Sequence, residues 1–234
     1  MKSGIRRVNR MLVPVLLAMA VAFLAVVLGN RSGRPFTVRE RRIIRQSDSV
    51  MYVTVLPEDS VILRRRSAEL TPAEISSPEW ETLLAKMLST VRSPKQDGVG
   101  IAAPQVGIGR RAVWVQRFDL PGEPFRCYLN PHLDSLYGEV THGPEGCLSV
   151  PPLRGYVPRY SSVIVSYLDP SSLRTLRDTV HGYTAIIFQH ECDHLDGRLY
   201  TDIADTVYVS TSWEAERRAF DYTRPDWWPL LPSE

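Results

Sequence analysis

The longest run of hydrophobic positions lies near the N terminus and predicts a membrane-spanning helix. Residues 11–28 contain no charged side chain, and Pro14 stands near the start of the run, where a helix tolerates proline. An 18-residue helix is roughly 27 Å long, about the thickness of the apolar core of a bilayer. The run is longer than the apolar part of a cleaved signal peptide. We therefore expect residues 1–29 to be a transmembrane or signal-anchor segment. The alternatives are a cleaved signal and translation that starts near Met51.

Basic residues on both sides of this run indicate its orientation. Residues 1–50 contain ten Lys or Arg and two acids, a net charge of +8, and six of the basic residues follow the run. Lysine and arginine accumulate on the cytoplasmic side of membrane segments. We therefore expect residues 30–50 to be a basic linker and the rest of the chain to face the cytoplasm. A chain that starts near Met51 would be cytoplasmic without an anchor.

Helical spacing of hydrophobic positions returns in the middle of the chain. Ser77 and Pro78 are typical of a helix start, and the pattern predicts a helix over residues 78–92. Its apolar positions are Trp80, Leu83, Leu84, Met87, Leu88 and Val91. A second helix is predicted over about residues 183–195. These apolar positions are expected to form part of the core.

Short β-rich segments separated by Pro- and Gly-rich turns predict strands. They lie at residues 52–55, 111–116, 128–129 and 162–167. Strands followed by a buried helix that packs on them indicate an α+β fold with antiparallel strands. We expect one globular domain over residues 51–222, which carries the candidate catalytic motifs. Residues 223–234 are expected to form an extended Pro/Trp-rich tail on the surface.

Composition and charge exclude several classes of protein. A chain of 234 residues that is 44% hydrophobic and 23% charged is typical of a globular protein and unlike a disordered or repeat protein. Residues 51–234 carry a net charge of −6, which disfavours nucleic-acid binding by this part. Three cysteines are too few, and odd in number, for a disulfide framework.

The most specific chemical signal lies in the second predicted helix. The segment His190-Glu191-Cys192-Asp193-His194 has the pattern HExxH. Residues four apart project from the same face of a helix, so the two imidazoles can bind one divalent metal ion, with Glu191 beside it. The preceding residues 185–188 are apolar, which places the two histidines in a protected cleft.

The third metal ligand distinguishes the possible classes of enzyme. Tyr200 occupies the position where HExxHxxGxxH proteases have a ligand, so that class is excluded. Glu214 has the spacing of a thermolysin-like ligand, but its neighbours are typical of a solvated helix face. Cys147 lies beside the flexible Gly146, in a chain without a disulfide framework, and suits a thiolate ligand.

Three motifs together resemble those of peptide deformylases. They are Gly98-Val99-Gly100-Ile101-Ala102-Ala103-Pro104-Gln105, Glu145-Gly146-Cys147-Leu148-Ser149 and Gln189-His190-Glu191-Cys192-Asp193-His194. Their order and spacing are similar to those of the family, and the resemblance covers about residues 51–205. The departures are Ile101 where leucine is commonest, an N-terminal hydrophobic arm, and a C-terminal end without a long final helix.

The resemblance implies removal of the formyl group from the initiator N-formylmethionine of nascent polypeptides, with release of formate. It assigns one divalent metal ion to Cys147, His190 and His194. It further assigns proton transfer to Glu191, and stabilisation of the oxyanion to the Gln105 side chain and the Leu148 backbone N–H. A divalent ion can lower the pKa of a bound water from about 15.7 to about 7, so that this water attacks the formyl carbon.

A peptide-binding cleft is also implied by the resemblance. The expected substrate-binding residues are Val99, Gly100, Gly146, Glu145, Arg154, Ile186 and Ile187. The glycines would let a peptide backbone approach closely and pair as a short strand, which does not depend on its sequence. The branched side chains would line a methionine pocket, and Glu145 and Arg154 would pair at its rim.

The implied metal is Fe²⁺, which Zn²⁺, Ni²⁺ or Co²⁺ could replace at a site with one Cys and two His ligands. The expected partners are N-formylmethionyl nascent peptides, the ribosome through transient proximity, and the membrane through residues 11–28. Direct nucleic-acid binding is not expected, and the protein is expected to be a monomer. Two alternatives remain: a membrane-anchored HExxH metallopeptidase with Glu214 as third ligand, and a metal-free module that binds nascent chains.

Overall fold

The computed structural model describes residues 36–94, 96–211 and 223–229. These residues belong to one compact unit, Pro35–Glu234. The predicted membrane segment at residues 11–28 lies outside the described residues. Within the described part of the chain, every helix is too short or too polar to cross a bilayer.

An antiparallel sheet forms the centre of the unit, as the sequence predicts. Its strands are β1 (Gly100–Ala102), β2 (Ala112–Gln116), β3 (Phe125–Gly146), β4 (Leu153–Leu168), β5 (Thr175–His181) and β6 (Thr206–Val209). Strands β1 to β5 are neighbours in chain order, and β6 pairs with β4. β3 and β4 continue as a long two-stranded ribbon, because their register runs from Leu129 paired with Leu168 to Gly146 paired with Arg154.

The described residues also form helices. They are α1 (Val38–Gln46), α2 (Ser60–Leu63), α3 (Pro72–Ile75), α4 (Pro78–Val91) and α5 (Gly182–Leu195). The bounds of α4 and α5 differ by one residue from those that the sequence predicts. α5 buries Ala185, Phe188 and Leu195 completely, and it packs on β4, β1 and β2. This packing places the HExxH segment against the sheet.

The prediction of a linker over residues 30–50 is wrong for its second half. Thr37 and Glu40 form a capping box that begins helix α1. Ile43 and Ile44 on this helix are fully buried in the core. The physical reason is that burial of these two isoleucines anchors the helix, although the arginines around them dominate the local composition.

The prediction of a surface tail is also corrected. Trp228 is 4% exposed and packs edge-on against Tyr52, with 4.9 Å between the ring centroids. Arg224 forms an ion pair of 2.9 Å with Asp59. The indole is buried because Gly107 has no side chain and leaves room for it.

Two predicted strands differ from the observed structure. Residues 52–55 are extended but lie outside the sheet, and the Thr54 N–H donates to the Gln105 carbonyl at 2.8 Å. The segment 128–129 is part of the 22-residue strand β3. The exposed second half of β3 has few apolar positions, so its sequence lacks the usual alternation of a strand.

Candidate active site

Three potential metal ligands converge where the β3–β4 ribbon meets α5. Cys147 directly follows the end of β3, and His190 and His194 lie one turn apart on α5. One ligand atom from each residue lies within 4.8 Å of the other two. The Cys147 Sγ atom is 3.2 Å from Nε2 of His194. The structure therefore brings together the three residues that the sequence proposes as ligands.

Glu145 fixes the orientation of His190. Its Oε2 atom accepts a hydrogen bond from Nδ1 of His190 at 2.8 Å, which leaves Nε2 of the imidazole directed to the cluster. A carboxylate behind a histidine ligand is the usual arrangement in metal sites. Burial raises the pKa of Glu145, but hydrogen bonds from His190 and Arg159 outweigh it and lower this pKa to about 2. Glu145 therefore stays ionised.

Arg159 is the site residue that sequence reasoning missed. Its guanidinium donates to Glu145 at 2.7 and 3.1 Å and to Asp193 at 2.6 Å. The expected pairing of Glu145 with Arg154 is therefore corrected. Alternate residues of β4 share a face of the strand. Gly155, Val157 and Arg159 are the buried set, and Arg154 belongs to the other set. This alternation is the sequence signal that identifies Arg159.

The donor set fits a divalent transition metal. Burial lowers the pKa of His194 well below its ordinary value, so its imidazole is neutral and can donate a lone pair. Burial opposes the charged form of His190, but hydrogen bonds to Cys147 and Glu145 outweigh it and raise its pKa, so a metal ion competes with a proton for this imidazole. One thiolate and two imidazoles form a set that Fe²⁺, Zn²⁺, Ni²⁺ and Co²⁺ all accept.

Gln105 presents its side-chain amide to the cluster. Its Oε1 atom accepts the Ala102 N–H at 2.8 Å, which directs Nε2 towards Cys147 Sγ at 3.5 Å and Ser149 Oγ at 3.4 Å. Leu148 lies between Cys147 and Ser149 and lines the same cavity. An amide donor is therefore available at one side of the candidate ligands.

Glu191 lies on α5 beside the candidate ligands and is buried. Burial raises the pKa of its carboxyl to about 7, so that both protonation states are accessible near neutral pH. Its Oε2 atom has no hydrogen-bond partner among the residues that the structure describes. A Cβ atom at Gly100 would overlap the Glu191 carboxylate. Glycine at this position therefore provides the space that the carboxylate occupies.

A cavity of about 410 Å³ opens over the cluster. All the residues predicted to bind substrate line it, together with Gln105, Cys147, Leu148, His190 and Glu191. Arg159, Val157 and Tyr183 also line it and were not expected from the sequence. Glu214, the alternative third ligand, lies outside the described residues. The cavity has the size of a small-ligand site.

Sequence comparisons match this chain to one family. The model of the polypeptide deformylase family matches residues 50–208. A peptide deformylase of Leptospira biflexa is 37% identical over 155 residues, which cover 63% of this chain and 85% of the relative. Peptide deformylase 2 of Pseudomonas syringae pv. tomato is 44% identical over 142 residues, 58% of this chain and 78% of the relative.

Solved structures show the same relationship. The actinonin-bound class I type b peptide deformylase from Acinetobacter baumannii has a TM-score of 0.59 and 35% identity, over 67% of this chain and 99% of that one. Peptide deformylase from Thermotoga maritima has a TM-score of 0.58 and 30% identity, over 67% of this chain and 99% of that one. These findings do not favour a metallopeptidase or a metal-free module, and the chain belongs to the polypeptide deformylase family.

Proposed function

We propose that this protein is a metal-dependent hydrolase that removes the formyl group from the N-terminal N-formylmethionine of nascent polypeptides. The observation that carries the proposal is that Glu191 and Gln105 line the cavity that opens over the cluster of Cys147, His190 and His194. Water adds to the formyl carbon, the bond from that carbon to the amine nitrogen breaks, and the products are formate and a peptide with a free amino group.

Cys147, His190 and His194 would hold the divalent ion. When bound, such an ion acts as a Lewis acid that lowers the pKa of water and polarises a carbonyl oxygen. We propose Fe²⁺ as the native ion because the resemblance to peptide deformylases implies it, and the same ligands accept other divalent ions. Glu145 and Arg159 keep the His190 imidazole in the orientation that ligation requires.

Glu191 is the group that transfers protons. In its carboxylate form it accepts a proton from the attacking water, and in its acid form it donates a proton to the leaving amine. A pKa near 7 suits both steps at neutral pH. Negative charge gathers on the former formyl oxygen, where the Gln105 amide and the Leu148 backbone N–H donate hydrogen bonds.

The substrate peptide binds along the edge of β1 that faces away from β2. β1 is the first strand of the sheet and pairs with β2 on one side. Its residue Gly100 lines the cavity together with Val99 and Gly146. Main-chain pairing at such an edge is independent of the peptide sequence, as processing of many nascent chains requires. The Acinetobacter baumannii deformylase has been solved with Met-Ala-Ser bound, which supports this proposal.

Release of formate from formyl-Met-Ala-Ser by the purified full-length protein tests the proposal. We expect formate and free Met-Ala-Ser in equal amounts after loading with Fe²⁺ without oxygen, and no reaction with acetyl-Met-Ala-Ser. The Cys147→Ala variant is the control for the metal site and should be inactive. A fully metallated sample that leaves the formyl peptide intact, or that cleaves internal peptide bonds, would contradict the proposal.

A further inference from the structure

The turn that carries Gln105 is covered by a residue from the far end of the chain. A 3₁₀ turn, Ala103–Val106, carries Gln105 and ends at Gly107, whose φ is +79°. The Trp228 indole lies directly on this glycine, because a Cβ atom there would come within 2.5 Å of the ring atom Cζ2. Trp228 therefore contacts the chain two residues after the side chain that we assign to oxyanion stabilisation.

Arg39 joins the turn to the segment around Trp228. Its Nη1 donates to the Gly107 carbonyl at 3.0 Å, and its Nε donates to the Pro229 carbonyl at 3.2 Å. The guanidinium carbon lies 6.0 Å from the centre of the Trp228 ring, within the range of a cation–π interaction. One side chain of helix α1 thus holds both the turn and the tryptophan that covers it.

Further contacts fix the tryptophan itself. Tyr52 packs on the indole and donates its hydroxyl to Asp59 at 2.7 Å. Asp59 also accepts a hydrogen bond from Arg224 at 2.9 Å, four residues before Trp228. The segment that holds Trp228 is therefore attached to the body of the domain at two points besides Arg39.

The position of the Gln105 amide depends on this turn. The turn is closed by hydrogen bonds from the N–H of Gly107 to the Pro104 carbonyl and from the N–H of Ile108 to the Ala103 carbonyl, each at 3.0 Å. A donor to the transition state must be placed precisely, since a shift of about 1 Å can cost about 10²-fold in rate. Displacement of the turn would therefore reduce kcat before it reduces substrate binding.

We propose that Trp228 and Arg39 are positioning residues for Gln105. They hold the turn that carries the oxyanion donor, although neither touches the substrate. This inference rests on the role of Gln105 in the proposed function. It attributes to the C-terminal segment a contribution to catalysis, separate from its contribution to stability.

The first test compares variants in formate release. In Trp228→Ala, kcat for formyl-Met-Ala-Ser should fall about tenfold with KM within about twofold of wild type, because the effect is confined to the transition state. Trp228→Phe keeps a ring on Gly107 and should retain at least a third of kcat. Arg39→Met should reproduce the loss of Trp228→Ala. The packing control is Leu83→Ala, at a fully buried position of the same core cluster on α4, which should leave kcat within twofold.

A second test asks whether the effect passes through Gln105. Gln105→Ala should lower kcat about 10²- to 10³-fold, as expected for loss of one oxyanion donor. In that background, Trp228→Ala should have no further effect on kcat, because the group that it positions is absent. An equal tenfold loss in both backgrounds would overturn the inference, as would wild-type kcat in Trp228→Ala.

A third test does not depend on activity. Hydrogen exchange of the amides of Gly107 and Ile108 should be at least tenfold faster in Trp228→Ala and Arg39→Met than in wild type and Leu83→Ala. Unchanged exchange would overturn the inference even if the wild-type protein released no formate. Absence of formate release by wild type, with faster exchange in these variants, would refute the proposed function and leave the attachment of the turn supported.

Discussion

At the scale of single residues, the proposed hydrolysis depends on two carboxylates, Glu145 and Glu191, whose environments differ. Glu145 lies between His190 and Arg159 and stays ionised, whereas burial raises the pKa of Glu191 to about 7. One carboxylate therefore orients a ligand, and the other can exchange a proton near neutral pH. This separation of pKa values is the physical basis for assigning the two residues different roles.

Replacement of Glu191 by Gln tests its role in proton transfer. The amide has nearly the same shape but cannot accept a proton, so kcat should fall by about 10²- to 10⁴-fold. The metal content of the purified variant, measured by elemental analysis, should equal that of wild type, because Glu191 is not a proposed ligand. A variant with full metal content and wild-type kcat would exclude this role.

Replacement of Arg159 by Met tests the support behind His190. Loss of the hydrogen bonds to Glu145 and Asp193 should weaken metal affinity by about 10- to 100-fold, as for other groups that orient a ligand. Competition with a chelator would measure the metal affinity of the variant. Arg154→Met removes a second guanidinium from the lining of the same cavity and is the matched control, which should leave metal affinity unchanged. Equal losses in both variants would contradict the prediction.

The residues of the site differ in how far their positions follow from the sequence. Helical periodicity alone puts His190 and His194 on one face of α5. The approach of Cys147 is a contact over 47 positions, and it was inferred from chemistry and resemblance. From the sequence alone, Arg154 and Arg159 are equally plausible partners for Glu145, because both lie nearby in the chain. The choice requires knowing which alternate residues of β4 are buried.

At the scale of elements, helix α1 belongs to the folded domain. Glu40 on this helix and Glu74 on α3 both bind the buried Arg110 guanidinium, at 3.1 and 2.6 Å. Removal of one partner from a buried ion pair costs about 3–5 kcal/mol. α1 therefore contributes both charge compensation and apolar contacts through Ile43 and Ile44.

Truncation before Met51 should consequently destabilise the domain. A chain that starts at Met51 loses Glu40 and the two isoleucines, and its free energy of unfolding should fall by at least about 3 kcal/mol. A chain that starts at Pro35 keeps α1 and is the matched control. Urea unfolding followed by circular dichroism measures the difference. Equal midpoints for the two truncations would contradict a structural role for α1.

Elements with strong periodicity could be predicted within one residue, and others could not. Helix α4 follows from its start signal and its apolar spacing. α1 has only two buried isoleucines among many charges, so its helical nature depends on tertiary contacts. The outer part of β3 forms a strand because β4 pairs with it. This part of the sequence lacks the alternation of apolar and polar residues that would predict a strand.

At the scale of the whole molecule, the apolar run at residues 11–28 is a prediction about location. We expect the full-length protein to sediment with membranes, and a chain that starts at Pro35 to be recovered in the supernatant with the same kcat. The truncation removes the apolar run and keeps every site residue, so activity is the internal control. Recovery of both forms in the supernatant would contradict an anchor.

The overall architecture could be predicted only in outline. The order of strands and helices indicates an α+β fold, and three motifs indicate the family. The attachment of residues 224–229 could not be predicted, because the relevant feature is the shape of the surface at Gly107. A Pro- and Trp-rich segment has no periodicity that distinguishes a free tail from a docked one.

The contact between Arg39 and Pro229 spans 190 positions in the chain. During synthesis, residues 103–108 are translated long before residues 224–229. The support for that turn is complete only after the last of these residues has left the ribosome. An enzyme that acts on nascent chains would thus reach full activity only after its own synthesis is complete.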